Sequence, residues 1–316
     1  MRVIFFGTPG CAVPYLQAIQ QAGGELVAVV TQPDKPRGRS KALCPPPVKE
    51  AAEAEQLCLL QPESCRDPQF IDHLRSLEPD ILVVVAFGRI LCPDLLSVPT
   101  IAALNVHYSL LPQFRGAAPV QHALLEGLSE TGVTLQHLAA ELDAGDVVAQ
   151  TTLQIADHDN TQTLTARLTE LGVELVEANL GLVYQGTAPR AAQDERLVSI
   201  APRLSKADGL LDLRQSAAAL MNRLHAVTPW PGASLCLKGQ RLMIHEARAI
   251  SAPEGTTPGQ ILSLDPARGP VVATGEGALE LLVVQPQGRK AMSGADYLRG
   301  ARLALTDVFE SGQNCR

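Results

Sequence analysis

The sequence predicts an α/β protein, with a doubly wound, mostly parallel sheet first and a small β-barrel or sandwich after it. Three observations carry this. The first half alternates short, uninterrupted apolar runs with stretches of helical spacing. Runs without polar alternation suit strands covered on both faces, and their alternation with helices implies βαβ units. The last third instead carries several short strand candidates separated by Gly- and Pro-containing turns, the pattern of a small barrel. Between them, Gly186–Lys206 lapses into Ala, Pro, Gln and Arg, which reads as a linker. A chain of 316 residues suits roughly two domains of about 100–200 residues each.

Taken in order, Arg2–Phe6 is a buried strand, followed by the turn Gly7-Thr8-Pro9-Gly10 and a helix to about Gln21. Glu25–Thr31, Ile81–Ala86 and Ala102–Val106 are further strands. Gly132–Leu138 and Asp146–Ile155 add edge strands, and Thr161–Leu182 is a closing helix. Beyond the linker, Ala207–Ala226 reads as a helix. Strands follow at Ala233–Leu237, Arg241–Ala249, Gly259–Leu264, Gly269–Thr274 and Ala278–Pro286. The expected domains are residues 1–189 and 206–316, joined by 190–205.

Composition removes several function classes. The turn after the first strand lacks the G-x-G-x-x-G spacing, and the second strand ends Val30-Thr31-Gln32 with no acidic residue, so a nicotinamide-dependent oxidoreductase is disfavoured. Seven cysteines, an odd number with no C-x-x-C pair, argue against a disulfide framework and a zinc site. No signal peptide and no membrane-length apolar run is visible, so a cytoplasmic location is expected. A net charge of −7 counts against a generalised nucleic-acid coat.

The most informative stretch is Leu104–Gly116, at the end of a strand, where doubly wound sheets bind ligands. Asn105 and His107 are two apart and point to one side of an extended chain. A carboxamide and an imidazole aimed together offer donors to a developing oxyanion, and the imidazole can carry a proton near neutral pH. An isolated N-x-H is more often a surface or capping histidine. Asp143, in the turn Glu141-Leu142-Asp143-Ala144-Gly145-Asp146, strengthens the catalytic reading, because a carboxylate can orient an imidazole and favour its charged form. Alone, Asp143 is ordinary turn chemistry.

The motifs N-x-H, S-L-L-P-x-x-R-G and L-D-x-G-D, in this order, resemble those of the folate-dependent formyltransferases. The similarity runs from Met1 to about Arg302, and the segments 31–39 with 47–49, 229–232 and 281–293 resemble the branch acting on charged tRNA. The resemblance implies a Rossmann-like formyltransferase domain followed by an OB-like β-barrel. It also implies transfer of the formyl group of 10-formyltetrahydrofolate to the amine of methionyl initiator tRNA, by a monomer without a metal. Asn105, His107 and Asp143 match the family's catalytic residues. Ser109, Leu110, Leu111 and Pro112 match its folate loop, and Phe87, Gly88, Arg89 and Ile90 its folate wall. His137 departs from the family pattern and is expected to be an ordinary strand residue.

The expected polynucleotide partner has local counterparts. Asp34–Glu50 carries Lys35, Arg37, Arg39, Lys41 and Lys49 in a proline-rich loop, suited to phosphates. The resemblance implies that this loop enters the acceptor stem, with Arg39 nearest its end. Residues 206–316 hold 12 basic against 10 acidic residues, whereas 1–205 hold 14 against 23. Lys206, Arg289 and Lys290 are candidate tRNA contacts, with Lys238, Arg241 and Arg248 on the same barrel. A formyltransferase for a nucleotide-linked amino sugar would share the three catalytic residues and need neither basic feature. A hydrolase would replace the amine by water, and a non-catalytic RNA-binding protein would not need the triad.

Overall fold

The computed structural model describes residues 1–37 and 42–312 of the chain, in two compact units. The first comprises residues 1–119, 130–154 and 165–202, and the second 120–129, 155–164 and 203–316, of which the structure is described to residue 312.

In the first unit, β1 (Arg2–Gly7), α1 (Pro14–Gln21) and β2 (Glu25–Val30) form the opening βαβ unit. A hairpin of β3 (Lys35–Arg37) and β4 (Ala42–Cys44) follows, then α2 (Pro47–Ala54), β5 (Leu59–Leu60), α3 (Pro68–Ser76) and β6 (Ile81–Val85). The short α4 (Pro93–Leu96) precedes β7 (Ala102–His107) and β8 (Arg115–Gly116). After α5 (Pro119–Leu125), which from residue 120 belongs to the second unit, come β9 (Glu130–His137), β10 (Val147–Gln154), α6 (Thr161–Tyr184), whose residues 161–164 also belong to the second unit, and β11 (Ile200–Ala201). The main sheet has the order β10-β9-β7-β6-β1-β2-β5, parallel except for β9, which runs against both of its neighbours. From β1 to β6 every side chain beyond Arg2 is buried or half-buried on β1, and all of β6 is buried. Both faces are therefore covered, as apolar runs require. One face packs Ile4, Phe6, Val30, Leu82 and Val84 against Ile71, Leu74 and Leu95. Of the two expected edge strands only β10 is an edge, since β9 lies between β10 and β7.

The chain runs outward from β1 to β5 and then returns to β6 beside β1. Ligand crevices form at such a reversal, beyond the carboxyl ends of the strands. Here Thr8 Oγ1, just after β1, donates to the Phe87 carbonyl just after β6 at 3.0 Å.

Two expectations fail for local reasons. Residues 190–205 are no free tether: Ala191 bridges Val147, and β11 pairs with β8. Ala207–Ala226 is not one helix. A 3-10 turn at Lys206–Gly209, capped by Ser205, is followed by irregular chain. A Cβ on Gly209 would lie 2.2 Å from the Gly232 carbonyl oxygen, so the backbone is pressed against another segment there. The helix starts only at α7 (Ala217–Val227), where Ser216 Oγ accepts from Ala219 N.

The second unit adds β12 (Ala233–Leu237), β13 (Gln240–Ile250), β14 (Ile261–Ser263), β15 (Val271–Ala273), β16 (Ala278–Pro286), β17 (Met292–Ser293), α8 (Gly294–Ala301) and β18 (Phe309–Ser311). Its sheet is antiparallel, in the order β14-β15-β16-β13-β12-β18. A bridge between Gln260 and Val308 joins the two outer strands, curling the sheet into a small barrel around Leu235, Ile244, Val272, Leu281 and Phe309. Among the described residues no helix is long and apolar enough to cross a membrane.

Candidate active site

The register between β7 and β9 builds the site. Asn105 pairs with Gln136 and His107 with Thr134, so these four side chains share one face of two neighbouring strands. His137 pairs with Leu104 and belongs to the opposite face. Burial, helped by Arg190, holds its pKa below the usual histidine value. It takes no part in the site.

The turn after β10's antiparallel partner brings Asp143 to this face. Its φ is +52°, a left-handed conformation that aspartate tolerates better than most residues. A Cβ on Gly145 would fall 1.8 Å from the His137 carbonyl oxygen, so the turn requires glycine there. Asp143 is 8% exposed and His107 6%. Asp143 Oδ1 accepts from Gln136 Nε2 at 3.1 Å and, at 3.4 Å, from Asn105 Nδ2. Oδ2 accepts from the Gly116 amide at 2.9 Å and lies 3.7 Å from His107 Nδ1. Every hydrogen-bonding neighbour is a donor, which matches a carboxylate that only accepts.

His107 Nε2 is 2.9 Å from the Phe114 carbonyl oxygen. A carbonyl accepts only, so Nε2 carries a hydrogen, and Nδ1 is the nitrogen that can exchange a proton within the site. Phe114 has a φ of +59°, rare for a bulky residue, and its amide donates to Ser199 Oγ at 2.9 Å. Strained residues held by their surroundings cluster at functional sites. The sheet thus brings Asn105, His107 and Asp143 together.

The 109–112 loop is held from below. Ser109 Oγ donates to the Gln113 carbonyl at 2.6 Å and is fully buried. Thr134 Oγ1 donates to the Ser109 carbonyl at 2.6 Å and accepts from the Leu111 amide at 3.1 Å. Gln150 Nε2 donates to the Leu111 carbonyl at 2.7 Å. The Leu111–Pro112 bond is cis. Leu110 and Pro112 are half-buried, while Leu111 points inward.

The expected wall at 87–90 is only partly available. The Phe87 ring is buried against Phe6, edge-to-face at 5.2 Å, so this side chain belongs to the core. Arg89 donates to the carbonyls of Pro62 and Glu63 at 3.0 and 2.8 Å. Gly88 adopts φ +78°, and Ile90 is 73% exposed.

Among the basic candidates, Lys35 is exposed and donates to Gln32 Oε1, and Arg37 ends β3. Arg39 and Lys41 lie outside the described residues. Lys49 belongs to α2 and is tied to Asp34 at 2.8 Å, so it is not a loop cation. In the second unit Lys206, Arg289 and Lys290 are exposed. Lys238 is paired with Asp307 at 2.8 Å, and Arg248 with the buried Glu280, which removes both from the free positive surface.

The sequence reading missed Gln136, Thr134, Gln150, Gln193 and Ser199. Gln136 and Thr134 come to the site through antiparallel register, and Gln193 and Ser199 through a stretch with no periodicity to read.

Comparison with known proteins follows the same lines. Residues 1–180 match the family model described as formyl transferase, and residues 203–302 match the formyl transferase C-terminal domain. The methionyl-tRNA formyltransferase of Moorella thermoacetica is 43% identical over 98% of this chain and 99% of its own length. That of Bacillus subtilis is 40% identical over 98% of this chain and 97% of its own. Among solved structures, an N-formyltransferase from Helicobacter canadensis, in complex with folinic acid and dTDP-3-aminofucose, covers 88% of this chain and 98% of its own. It has a TM-score of 0.66 at 15% identity, a likeness of fold. HypX from Aquifex aeolicus, in complex with tetrahydrofolic acid, covers 94% of this chain and 47% of its own, with a TM-score of 0.60 at 19% identity. The match over both parts of the chain, and the identity held along nearly all of it, place this protein in the formyl transferase family.

Proposed function

We propose that the protein transfers the formyl group of 10-formyltetrahydrofolate to the amino group of methionyl initiator tRNA, giving the N-formylated initiator for translation. One observation carries the reading: the Asp143 carboxylate lies between the Asn105 amide and the His107 imidazole at the carboxyl ends of the sheet. The near-full-length relatives named for this activity support the choice of acceptor.

The substrates supply a nucleophilic amine and a formyl carbon. A C–N bond forms as the carbonyl pair moves to oxygen, and the bond to the folate nitrogen then breaks. The residues of this chain provide the rest. Asn105 Nδ2 donates to the oxyanion. With His107 Nε2 occupied by Phe114, the ring's second donor is Nδ1–H of the protonated imidazole. Removing one donor of this kind typically costs about 10²–10³ in rate. Asp143, directly or through water, moves the proton from the attacking to the leaving nitrogen. The 109–112 loop receives the folate, together with the backbone at 87–90. Lys35, Arg37, Arg39, Lys41, Lys206, Arg289 and Lys290 contact the tRNA. The same reading makes the enzyme a cytoplasmic monomer.

The test supplies 10-formyltetrahydrofolate with charged initiator tRNA, charged elongator tRNA, free methionine or a nucleotide-linked amino sugar. Preferential formylation of the initiator is expected. Equal formylation of free methionine, or a preference for the sugar, rejects the tRNA reading, and near-normal turnover by His107→Ala rejects the mechanism.

A further inference from the structure

Behind Asp143 runs a polar chain, buried except for the half-buried Gln193, that the proposed mechanism leaves without a task. It begins at Arg115, which is 6% exposed and also pairs with Glu195 at 2.8 Å. A guanidinium has donors only, so the Gln193 atom facing it, at 3.0 Å from Nε and 2.8 Å from an Nη, must be the amide oxygen. This contact fixes which way the Gln193 amide is turned. Its nitrogen then donates to the Asp143 carbonyl at 2.8 Å and the Gly145 carbonyl at 2.7 Å. A longer contact of 3.3 Å reaches Gln136 Oε1. With its oxygen on that side, Gln136 presents Nε2 to Asp143 Oδ1 at 3.1 Å. Both hydrogens of the Gln193 amide are thus committed to the backbone of the aspartate turn, and Gln136 meets the carboxylate independently.

We infer that Gln193 is a positioning residue for Asp143. Its amide, oriented by Arg115, grips the 143–145 turn from both ends and so keeps the carboxylate between Asn105 and His107. The inference rests on the proposed role of Asp143. The left-handed backbone at Asp143 gives the grip its purpose, since a turn held at φ +52° needs external restraint to keep one geometry. The rival account is that Gln193 merely docks residues 190–201 onto the sheet through Arg115.

Gln193→Glu separates the two accounts. It keeps side-chain length and gives Arg115 a charged acceptor, so docking survives, but it has no hydrogen for the two carbonyls. We expect folded protein with donor KM within about threefold of wild type. We expect kcat to fall on the order of 10–100-fold, the scale of a misplacement near 1 Å. Single-turnover rates with enzyme in excess complete a cycle with Asp143→Asn. The Gln193→Glu loss should shrink below about threefold in that background, because the group being positioned is gone. If Gln193→Glu does not fold, the similarly sized Gln193→Leu enters the same cycle under the same criteria. A kcat within twofold of wild type, or an equal loss in both backgrounds, overturns the inference. Near-normal turnover by Asp143→Asn would instead overturn the mechanism itself, and this role with it.

Discussion

Thr134→Val should loosen the loop at 109–112 while leaving every reacting group in place. The exchange conserves shape and removes one hydroxyl. That hydroxyl is fully buried, donates to the Ser109 carbonyl at 2.6 Å, and accepts from the Leu111 amide at 3.1 Å and Gln150 Nε2 at 2.9 Å. Gln150 keeps its bond to the Leu111 carbonyl, so the two loop backbone groups bear the loss. A buried group left unmet costs about 1–3 kcal/mol, and the added methyl returns about 0.8 kcal/mol. The net destabilisation is then about 3 kcal/mol. If donor binding must restore the loop at half that cost, KM rises about tenfold, since 1.4 kcal/mol is a factor of ten. Urea unfolding measures the first quantity, and initial rates with varied 10-formyltetrahydrofolate at saturating charged tRNA measure the second. A stability loss under about 1 kcal/mol would refute the hydrogen-bond accounting. A full loss with unchanged KM would refute the assignment of this loop to the donor.

Gly116→Ala should lower both stability and kcat, because Gly116 has φ +126° and a Cβ there would lie 2.6 Å from the Ala201 carbonyl oxygen. The β8–β11 pair must shift, and with it the amide that donates to Asp143; thermal melts and turnover indistinguishable from wild type would contradict this. His225→Gln should flatten the acid side of the stability curve. Burial holds the His225 pKa below its ordinary 6.5, against the pull of Asp159. The unfolded chain therefore binds a proton that the folded one resists, and stability falls as pH drops through about 6.5. Melts between about pH 6.5 and 5.5 with the same slope in both proteins would refute it. Replacing Arg289 and Lys290 together by alanine should reduce the slope of log affinity for charged tRNA against log salt by about 2, if each meets one phosphate. An unchanged slope removes both from the interface.

Asn105 and His107 were legible because strand parity alone puts residues two apart on one side, and that parity holds in β7. Asp143 was legible as a turn residue matching a motif, while its distance from His107 depends on a left-handed backbone that no spacing reveals. Gln136 was hidden because antiparallel register places it opposite Asn105, and register is a property of two strands together. Lys49 looked like a loop cation because its partner, Asp34, lies 15 residues away and is brought back by the β3–β4 hairpin. The Phe87 side chain was assigned to a ligand wall with its neighbours, although its apolar type already suited the core that holds it. Residues 190–205 read as linker in the sequence because they carry no periodicity, and the backbone pairing within them is with distant strands.

The placement of Gln193 also sets an order of events in time. It meets Asp143 from 50 residues away and Arg115 from 78, after the whole of α6 has intervened. A nascent chain that has emerged only to residue 189 already holds Asn105, His107 and Asp143, with the strands that carry them. It still lacks both the amide that grips the aspartate turn and the strand that pairs with β8. Such long-range closures come late and slowly. On this reading the site is completed by a stretch of chain that contributes no reacting group of its own.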